Sequence, residues 1–310
     1  MNILSIDGGG IRGVIVCQIL SELIKTYPRL IQKTDVFVGT STGGIIALGL
    51  AKGSSIEETK THYLTHGEEI FDKSLWNSKK TDFDGFVSAD YSSNELKIVL
   101  NNFFGSIKLG EIPKKVVIPA FNVQCKSPTS TWRPKVFHNF APLALDAIPD
   151  PDLGELARDV ALYTSAAPTY FPIANGYVDG GVFANNPSMV GLAQVLDSRF
   201  SKVSLSEVKL LSISSGENPS YIDDQFKNAD WGLYHWRKHI IEIMMEGAAN
   251  VADFQCKQLL GEKYKRLKYK LTKKIALDDS ENLESMITIG KNTDFWEQAS
   301  ITDWLKANEW

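Results

Sequence analysis

The first fifty residues contain the same structural unit twice: a short apolar strand, a glycine-rich turn and a helix. The first unit has its strand at residues 3–6 and its turn at 8–13, with a helix behind the turn. The second has its strand at 35–38 and its turn at 39–44, again followed by a helix. Strands that alternate with helices are typical of α/β proteins, so we expect a mainly parallel sheet covered by helices.

The chain continues this alternation as far as residue 215. We expect strands at 116–122, 177–178 and 208–214, and helices at 153–164 and from about Pro187. Residues 53–110 have the pattern of a mostly helical insertion. Ser55 and Ser92 each precede a glutamate by three residues, which predicts a capping box at the start of two helices in this insertion.

After Gly216 the alternation fades. The remaining patterns are those of a long helix, an exposed strand of alternating charged and apolar residues, and a terminal helix, at 231–260, 264–271 and 292–306. The sequence shows no repeats and no low-complexity linker. We therefore expect one domain over residues 1–310, with a motif-bearing core at 1–215 and a C-terminal region at 216–310.

The composition is that of an ordinary globular protein, with 43% hydrophobic and 23% charged residues. A net charge of −4 argues against a nucleic-acid polymer as partner and against strongly electrostatic attachment to anionic membranes. The N-terminus has no signal-peptide pattern, and no apolar run approaches the roughly 20 residues of a membrane span. Three distant cysteines favour neither a disulfide framework nor a zinc site. We therefore expect a cytoplasmic protein without metal, with at most peripheral membrane association.

The second glycine turn, Gly39-Thr40-Ser41-Thr42-Gly43, has the G-x-S-x-G pattern of a nucleophile turn. A serine hydroxyl is a weak nucleophile and needs exposure and a neighbouring base. The strand-to-helix turn supplies the exposure, and its flanking glycines permit the sharp backbone path. The alternative is a tight turn with an ordinary serine cap.

The first glycine turn, Gly8-Gly9-Gly10-Ile11-Arg12-Gly13, allows two functional interpretations. It fits the G-x-G-x-x-G fingerprint of dinucleotide binding, and it also fits an oxyanion hole built from backbone amides. The dinucleotide interpretation requires an acidic residue at the end of the second strand. Asp35 lies at the start of that strand instead, which favours the oxyanion hole, with Arg12 adding positive charge.

The base that would activate Ser41 is either a histidine or an aspartate. Only His235 and His239 follow all the core strands, and both lie in the predicted long helix rather than in a loop. Asp179-Gly180-Gly181 follows a short strand and precedes a helix, as Ser41 does. An aspartate in hydrogen-bonding reach of the hydroxyl can take its proton directly, and burial would raise its pKa towards a useful value.

Four segments in this order resemble the patatin-like phospholipases, whose catalytic core is related to that of the cytosolic phospholipase A2 enzymes. They are Asp7-Gly8-Gly9-Gly10-Ile11-Arg12-Gly13, Gly39-Thr40-Ser41-Thr42-Gly43-Gly44, Ala166-Ala167-Pro168-Thr169-Tyr170-Phe171-Pro172, and Asp179-Gly180-Gly181 with Asn185-Asn186-Pro187. The resemblance covers residues 1 to about 215, and the C-terminal region has no matching motif.

The resemblance implies a three-layer α/β/α sandwich and a lipid acyl hydrolase with a Ser41–Asp179 dyad, an acyl-enzyme intermediate and no metal or cofactor. The oxyanion hole would be formed by Gly8, Gly9 and Gly10 with Arg12 nearby. The substrates would be ester bonds of phospholipids or galactolipids. Members of the family in bacteria can serve as signal-activated effectors, so a regulatory ligand or partner at the C-terminal region is a further expectation.

A lipid enzyme must also reach a membrane. Trp231, Leu233, Tyr234 and Trp236, with the basic Arg237 and Lys238, either contact the interface or pack their helix onto the sheet. Phe83, Phe86, Phe103 and Phe104 are alternative lid residues. Competing functions are a soluble small-ester or thioester hydrolase, a dinucleotide-binding oxidoreductase and a silent binding module.

Overall fold

The computed structural model describes residues 1–70, 89–124, 131–144, 151–236 and 239–310. The strands within these ranges are β1 (Asn2–Ile6), β2 (Val36–Gly39), β3 (Lys115–Asn122), β4 (Arg133–His138), β5 (Tyr177–Asp179), β6 (Lys209–Ile213) and β7 (Tyr264–Leu267). The helices in the first half are α1 (Gly13–Thr26), α2 (Leu30–Lys33), α3 (Thr42–Lys52), α4 (Ile56–Ile70), α5 (Ser93–Phe104) and α6 (Ala157–Thr164). Those in the second half are α7 (Gly181–Ala184), α8 (Ser188–Val195), α9 (Leu233–Trp236), α10 (Ile240–Leu260), α11 (Leu283–Lys291) and α12 (Gln298–Ala307).

The strands form one mixed sheet in the order β4-β3-β2-β1-β6-β7, with β5 attached to β3. The neighbours from β3 through β2, β1 and β6 to β7 are all parallel. Only β4 and β5 run antiparallel, and both pair with β3. The predicted mainly parallel sheet is thus confirmed.

Two apolar clusters lie on opposite faces of this sheet. Side chains alternate along each strand, so Phe37 belongs to one cluster while its neighbours Val36 and Val38 belong to the other. The first cluster is covered by α1 and α3, and the second by residues of α8 and α10 such as Leu192 and Cys256. This arrangement is the expected three-layer α/β/α sandwich.

The pairing of β3 brings two strand ends together. One edge of β3 is occupied by β4, from Val117 to Asn122. On the other edge, β2 pairs with residues 115–117 and β5 pairs with residues 120–122 in the opposite direction. β2 and β5 therefore share one edge of β3, and their carboxyl ends point towards each other. The turns that follow the two strands meet there.

The structure differs from expectation mainly outside the motifs. β4 was not predicted, because its first half is exposed and contains Pro134. The helical pattern at 231–260 is interrupted, so that α9 and α10 are separate helices. The predicted exposed strand is β7, whose Tyr264 and Leu267 are buried because it extends the sheet beside β6. The C-terminal region thus belongs to the same sheet as the motifs.

The insertion is helical in its described part. The capping box at Ser55 is present, since its hydroxyl and amide both bond with Glu58. Ser92 caps α5 by accepting from the Asn94 amide instead. Phe103 and Phe104 are buried in the core and are therefore not lid residues, while Phe83 and Phe86 lie outside the described residues. In the described part, no helix has the length and apolarity needed to cross a membrane.

Candidate active site

Ser41 lies on a strained turn between β2 and α3. Its φ of 55° is in the left-handed region, which a residue with a side chain adopts only when its surroundings impose it. The Ser41 amide donates to Thr164 Oγ1 at 2.9 Å, and the Thr164 hydroxyl donates in turn to the Pro119 carbonyl at 2.6 Å. The core thus fixes the turn that presents the hydroxyl.

The glycines that flank Ser41 are required by close backbone packing. A Cβ on Gly39 would lie 2.0 Å from the Gly43 carbonyl oxygen, and one on Gly43 would lie 2.4 Å from the Ile6 carbonyl oxygen. Both contacts are with backbone, which cannot move aside as a side chain can. The G-x-S-x-G pattern therefore follows from the close approach of α3 to the end of β2 and to β1.

Asp179 ends β5 and is buried next to Ser41. Its carboxylate accepts a hydrogen bond from the Gly181 amide at 2.6 Å and another from the Ser41 side chain. Burial raises the pKa of Asp179 to about 6, although both hydrogen bonds oppose the rise. With this pKa, the Asp179 carboxyl can accept a proton near neutral pH. The turn after Asp179 also requires Gly180, because a Cβ on Gly180 would lie 2.3 Å from the Pro119 carbonyl oxygen.

The first glycine turn lies across from this pair. The Gly8 amide donates to the Asn185 carbonyl at 3.0 Å, so it is already occupied. The Gly9 and Gly10 amides donate no hydrogen bond to any described residue, and both glycines line the same pocket as Ser41. Gly10 has a φ of 56°, and a Cβ there would lie 2.2 Å from the Leu277 carbonyl oxygen.

Arg12 is buried, with 6% of its surface exposed, rather than being an exposed helix-start residue. Its guanidinium donates through Nε to the Gly9 carbonyl and through Nη1 to the Gly216 carbonyl, at 3.3 and 2.9 Å. Burial lowers its pKa, but an arginine stays charged. Arg12 therefore stabilises the glycine turn through these two hydrogen bonds. Its side chain lines a second cavity beside the Ser41 pocket rather than the pocket itself.

Around Ser41 and Asp179 the pocket is apolar. Its walls include Ile45, Leu96, Phe171, Val182, Ile241 and Met245. The last two lie on α10, so the C-terminal region supplies part of the wall. Within the described ranges, no histidine lines this pocket. His235 and His239 stack on the ring of Trp231, each with centroids 5.7 Å apart.

Comparison with known proteins identifies the family that has this site. The model of the patatin-like phospholipase family matches residues 4–191. The chain belongs to the patatin-like phospholipases. Membership of this family implies a hydrolase that acts on lipid esters.

Three relatives illustrate the range of similar proteins. A cGAMP-activated phospholipase of Escherichia coli is 33% identical, over 76% of this chain and 67% of that protein. Protein teg of Priestia megaterium is 32% identical, over 74% of this chain and 67% of that protein. Patatin-like protein 2 of Oryza sativa is 29% identical, over 94% of this chain and 83% of that protein.

Two structural contributors to this patatin-like site were not found from the sequence. Arg266 on β7 reaches across Ser212 of β6 and forms a bidentate ion pair with Asp7, with distances of 2.6 and 3.1 Å. Thr164 holds the Ser41 amide. Neither lies in a recognisable motif, and Arg266 follows Lys265 in a strand whose mixed charged and apolar residues gave no signal of its ion pair.

Three other features discussed from the sequence are Asp35, a metal site and the aromatic residues around Trp231. Asp35 accepts from the Asn2 amide at the start of β2, away from the glycine turns. Across the part of the chain that the structure describes, no cluster of three or more metal-ligating side chains is present. Trp231 packs against Phe226 and Trp236 instead of the sheet, with ring centroids 5.6 and 5.4 Å apart.

Proposed function

We propose that this protein is a lipid acyl hydrolase in which Ser41 is the nucleophile and Asp179 the general base. The observation that carries the proposal is the pair itself. A serine hydroxyl on a strained turn faces a buried carboxyl whose pKa is about 6, within an apolar pocket. A carboxyl with a pKa near the working pH is well suited to take and return a proton.

The reaction would proceed in two halves. Ser41 Oγ attacks the ester carbonyl carbon while its proton passes to Asp179, and the Gly9 and Gly10 amides stabilise the oxyanion. Asp179 then returns the proton to the departing alcohol, which leaves an acyl group on Ser41. Water attacks this ester with its proton passing to Asp179. The fatty acid is released, and the proton returns to Ser41 Oγ.

Phospholipids or galactolipids are the substrate class that we propose, through transient contact with a membrane surface. α10 supports this because it connects the pocket with the surface. Ile241 and Met245 line the pocket, whereas Ile240, Met244, Val251 and Phe254 on another face of the helix are exposed by 42 to 64%. Such an apolar face next to a pocket for acyl chains suits the interface of a bilayer.

A soluble small-ester or thioester hydrolase on the same scaffold is the alternative. It would use the same dyad but would not need the exposed face of α10. Turnover of lipid vesicles compared with turnover of a short soluble ester separates the two functions. We expect faster hydrolysis of the vesicle lipid, and loss of both activities in Ser41→Ala. Preference for the soluble ester would favour the alternative.

We also propose that a regulatory ligand or partner acts through the C-terminal region. The relative from Escherichia coli is named for activation by cGAMP, and here the C-terminal region supplies Ile241, Met245 and Leu277 to the pocket. A ligand that shifts α10 would therefore change the pocket. Lipid hydrolysis with and without added cGAMP tests one such ligand, and activation of at least about tenfold, a 1.4 kcal/mol coupling, is the supporting result.

A further inference from the structure

A second, polar cavity adjoins the pocket that contains Ser41. The two share the wall residues Tyr170, Ile241, Met245 and Leu277. The second cavity has a volume of about 270 Å³, which is room for several water molecules or a small polar group. The polar cavity therefore lies directly beside the pocket that contains Ser41.

Most charged groups of the polar cavity are already paired. Glu242 forms an ion pair with Lys274 at 2.8 Å and accepts from Asn218 at 3.3 Å. Arg12 donates to two carbonyls through Nε and Nη1, while its Nη2 donates to no described residue. The described walls thus contain two cations, Arg12 and Lys274, and two carboxylates.

Glu246 is the second carboxylate, and it differs from Glu242. It is half-buried, yet its carboxylate has no ion pair or hydrogen bond within the described ranges. Burial raises the pKa of Glu246 and the nearby Glu217 adds to the rise, whereas the charges of Arg12 and Lys268 oppose it. A carboxylate in this position is costly to ionise unless a cation reaches it.

Asn185 also lines this cavity, but its Oδ1 is fully buried against Gly8, where a Cβ would lie 2.4 Å from it, so Oδ1 is not available to a ligand. The Glu246 carboxylate can only accept hydrogen bonds, so it suits a ligand group that only donates. An ammonium group is such a donor.

We propose that Glu246 binds the ammonium group of a phospholipid head group, so that zwitterionic, amine-bearing phospholipids are the preferred substrates. This inference rests on the proposed lipid acyl hydrolase function. Because Glu242 is already paired with Lys274, Arg12 and Glu246 remain in the described walls as one cation and one carboxylate, which complement the phosphate and the amine of a zwitterion. A galactolipid or phosphatidylglycerol has no cation and would leave Glu246 unpaired.

The test compares phosphatidylethanolamine with phosphatidylglycerol that carries identical acyl chains, each at low mole fraction in micelles of a neutral detergent. We expect wild-type kcat/KM to favour phosphatidylethanolamine. Glu246→Gln should lower the ratio of the two kcat/KM values by about tenfold, the magnitude of one charge-assisted hydrogen bond. Glu246→Lys should favour phosphatidylglycerol. The control Glu284→Gln removes one exposed carboxylate on α11, so it makes the same change in net charge and should keep the wild-type ratio.

Equal turnover of the two lipids by the wild type, or an unchanged ratio in Glu246→Gln, overturns the head-group inference. A short soluble ester distinguishes this failure from failure of the proposed function. If Ser41→Ala abolishes hydrolysis of that ester, the dyad stands and only the head-group inference falls. If hydrolysis does not depend on Ser41, the proposed function falls and the inference falls with it.

Discussion

At the residue scale, the chemistry depends on how the fold treats two side chains. Ser41 is held on a strained turn by Thr164, and Asp179 is removed from water while keeping two hydrogen bonds. Burial disfavours the charged carboxylate, so its pKa rises to about 6. The proposed mechanism needs no histidine, because the Asp179 carboxyl itself would accept the Ser41 proton near neutral pH.

The pKa of Asp179 sets the acid limb of the pH–rate profile. The base must be ionised to accept the Ser41 proton, so kcat/KM should fall about tenfold per pH unit below about pH 6. Hydrolysis of a short soluble ester measures this without interference from lipid charge, and circular dichroism at each pH confirms that the protein stays folded. A rate that is constant down to about pH 5 would contradict the assignment.

The same shift affects stability. The folded pKa of Asp179 is raised from 3.8 to about 6, so its stabilising contribution is present below about pH 4 and is lost as the pH rises through about 6. Near pH 8 the folded protein must therefore hold a buried, charged carboxylate, which costs stability, and Asp179→Asn removes that charge. We expect the substitution to raise the free energy of unfolding by up to about 3 kcal/mol near pH 8, and to have little effect near pH 4.

Urea unfolding at both pH values measures the effect of Asp179→Asn. Asp294→Asn is the matched control, because Asp294 is exposed. Destabilisation of Asp179→Asn near pH 8 would show that the charged carboxylate stabilises the fold instead.

At the element scale, α10 has two apolar faces, one that lines the pocket and one that is exposed to solvent. Ile241 and Met245 line the pocket that contains Ser41, while Val251 and its apolar neighbours face solvent. Its helical period was readable from the sequence, but the sequence could not show which face would be buried. The structure places the apolar residues near residue 240 in a pocket wall and on the surface.

Membrane contact by α10 predicts a specific loss of vesicle binding. Val251→Gln should weaken binding to phosphatidylcholine vesicles by about tenfold, since burial of such a side chain contributes about 1.5 kcal/mol or more. Ile98→Gln on α5 is the control, with an exposure of 60% compared with 56% for Val251. Vesicle flotation measures both, and equal binding of the two variants would exclude this face as the contact.

At the scale of the whole molecule, the C-terminal region completes the site that the motifs begin. β7 adds a parallel strand beyond β6, and from it Arg266 pairs with Asp7 at the start of the glycine turn. Both side chains are buried, so loss of one partner would leave an unpaired charge in the interior.

Arg266→Met should therefore lower the free energy of unfolding by about 3–5 kcal/mol. The neighbouring Lys265→Met removes only an exposed hydrogen bond to Ser300 and should cost less than about 1 kcal/mol. Thermal unfolding of both variants at neutral pH provides the comparison. If Arg266→Met lowers the free energy of unfolding no more than Lys265→Met does, the Arg266–Asp7 ion pair does not stabilise the first glycine turn.

The sequence predicted the motif-bearing parts well because each has a local physical cause. Ser41 lies in a turn whose glycines are required by backbone contacts, and Asp179 lies in a turn of the same kind. Arg266 and Thr164 act across long sequence separations, the first through the pairing of β7 with β6 and the second through the packing of α6 against the Ser41 turn. The half-exposed strand β4 also lacked a local pattern, because its polar first half resembles a loop.

The central claim is that Ser41 is activated by Asp179 and by no histidine. The most direct measurement is the rate at which a fluorophosphonate labels the protein, with the labelled residue located by peptide mass spectrometry. We predict a single adduct on Ser41 in the wild type and in His239→Ala, formed at similar rates, and labelling of Asp179→Asn at least about 100-fold slower. An adduct on another residue, or labelling of Asp179→Asn at the wild-type rate, would contradict this account.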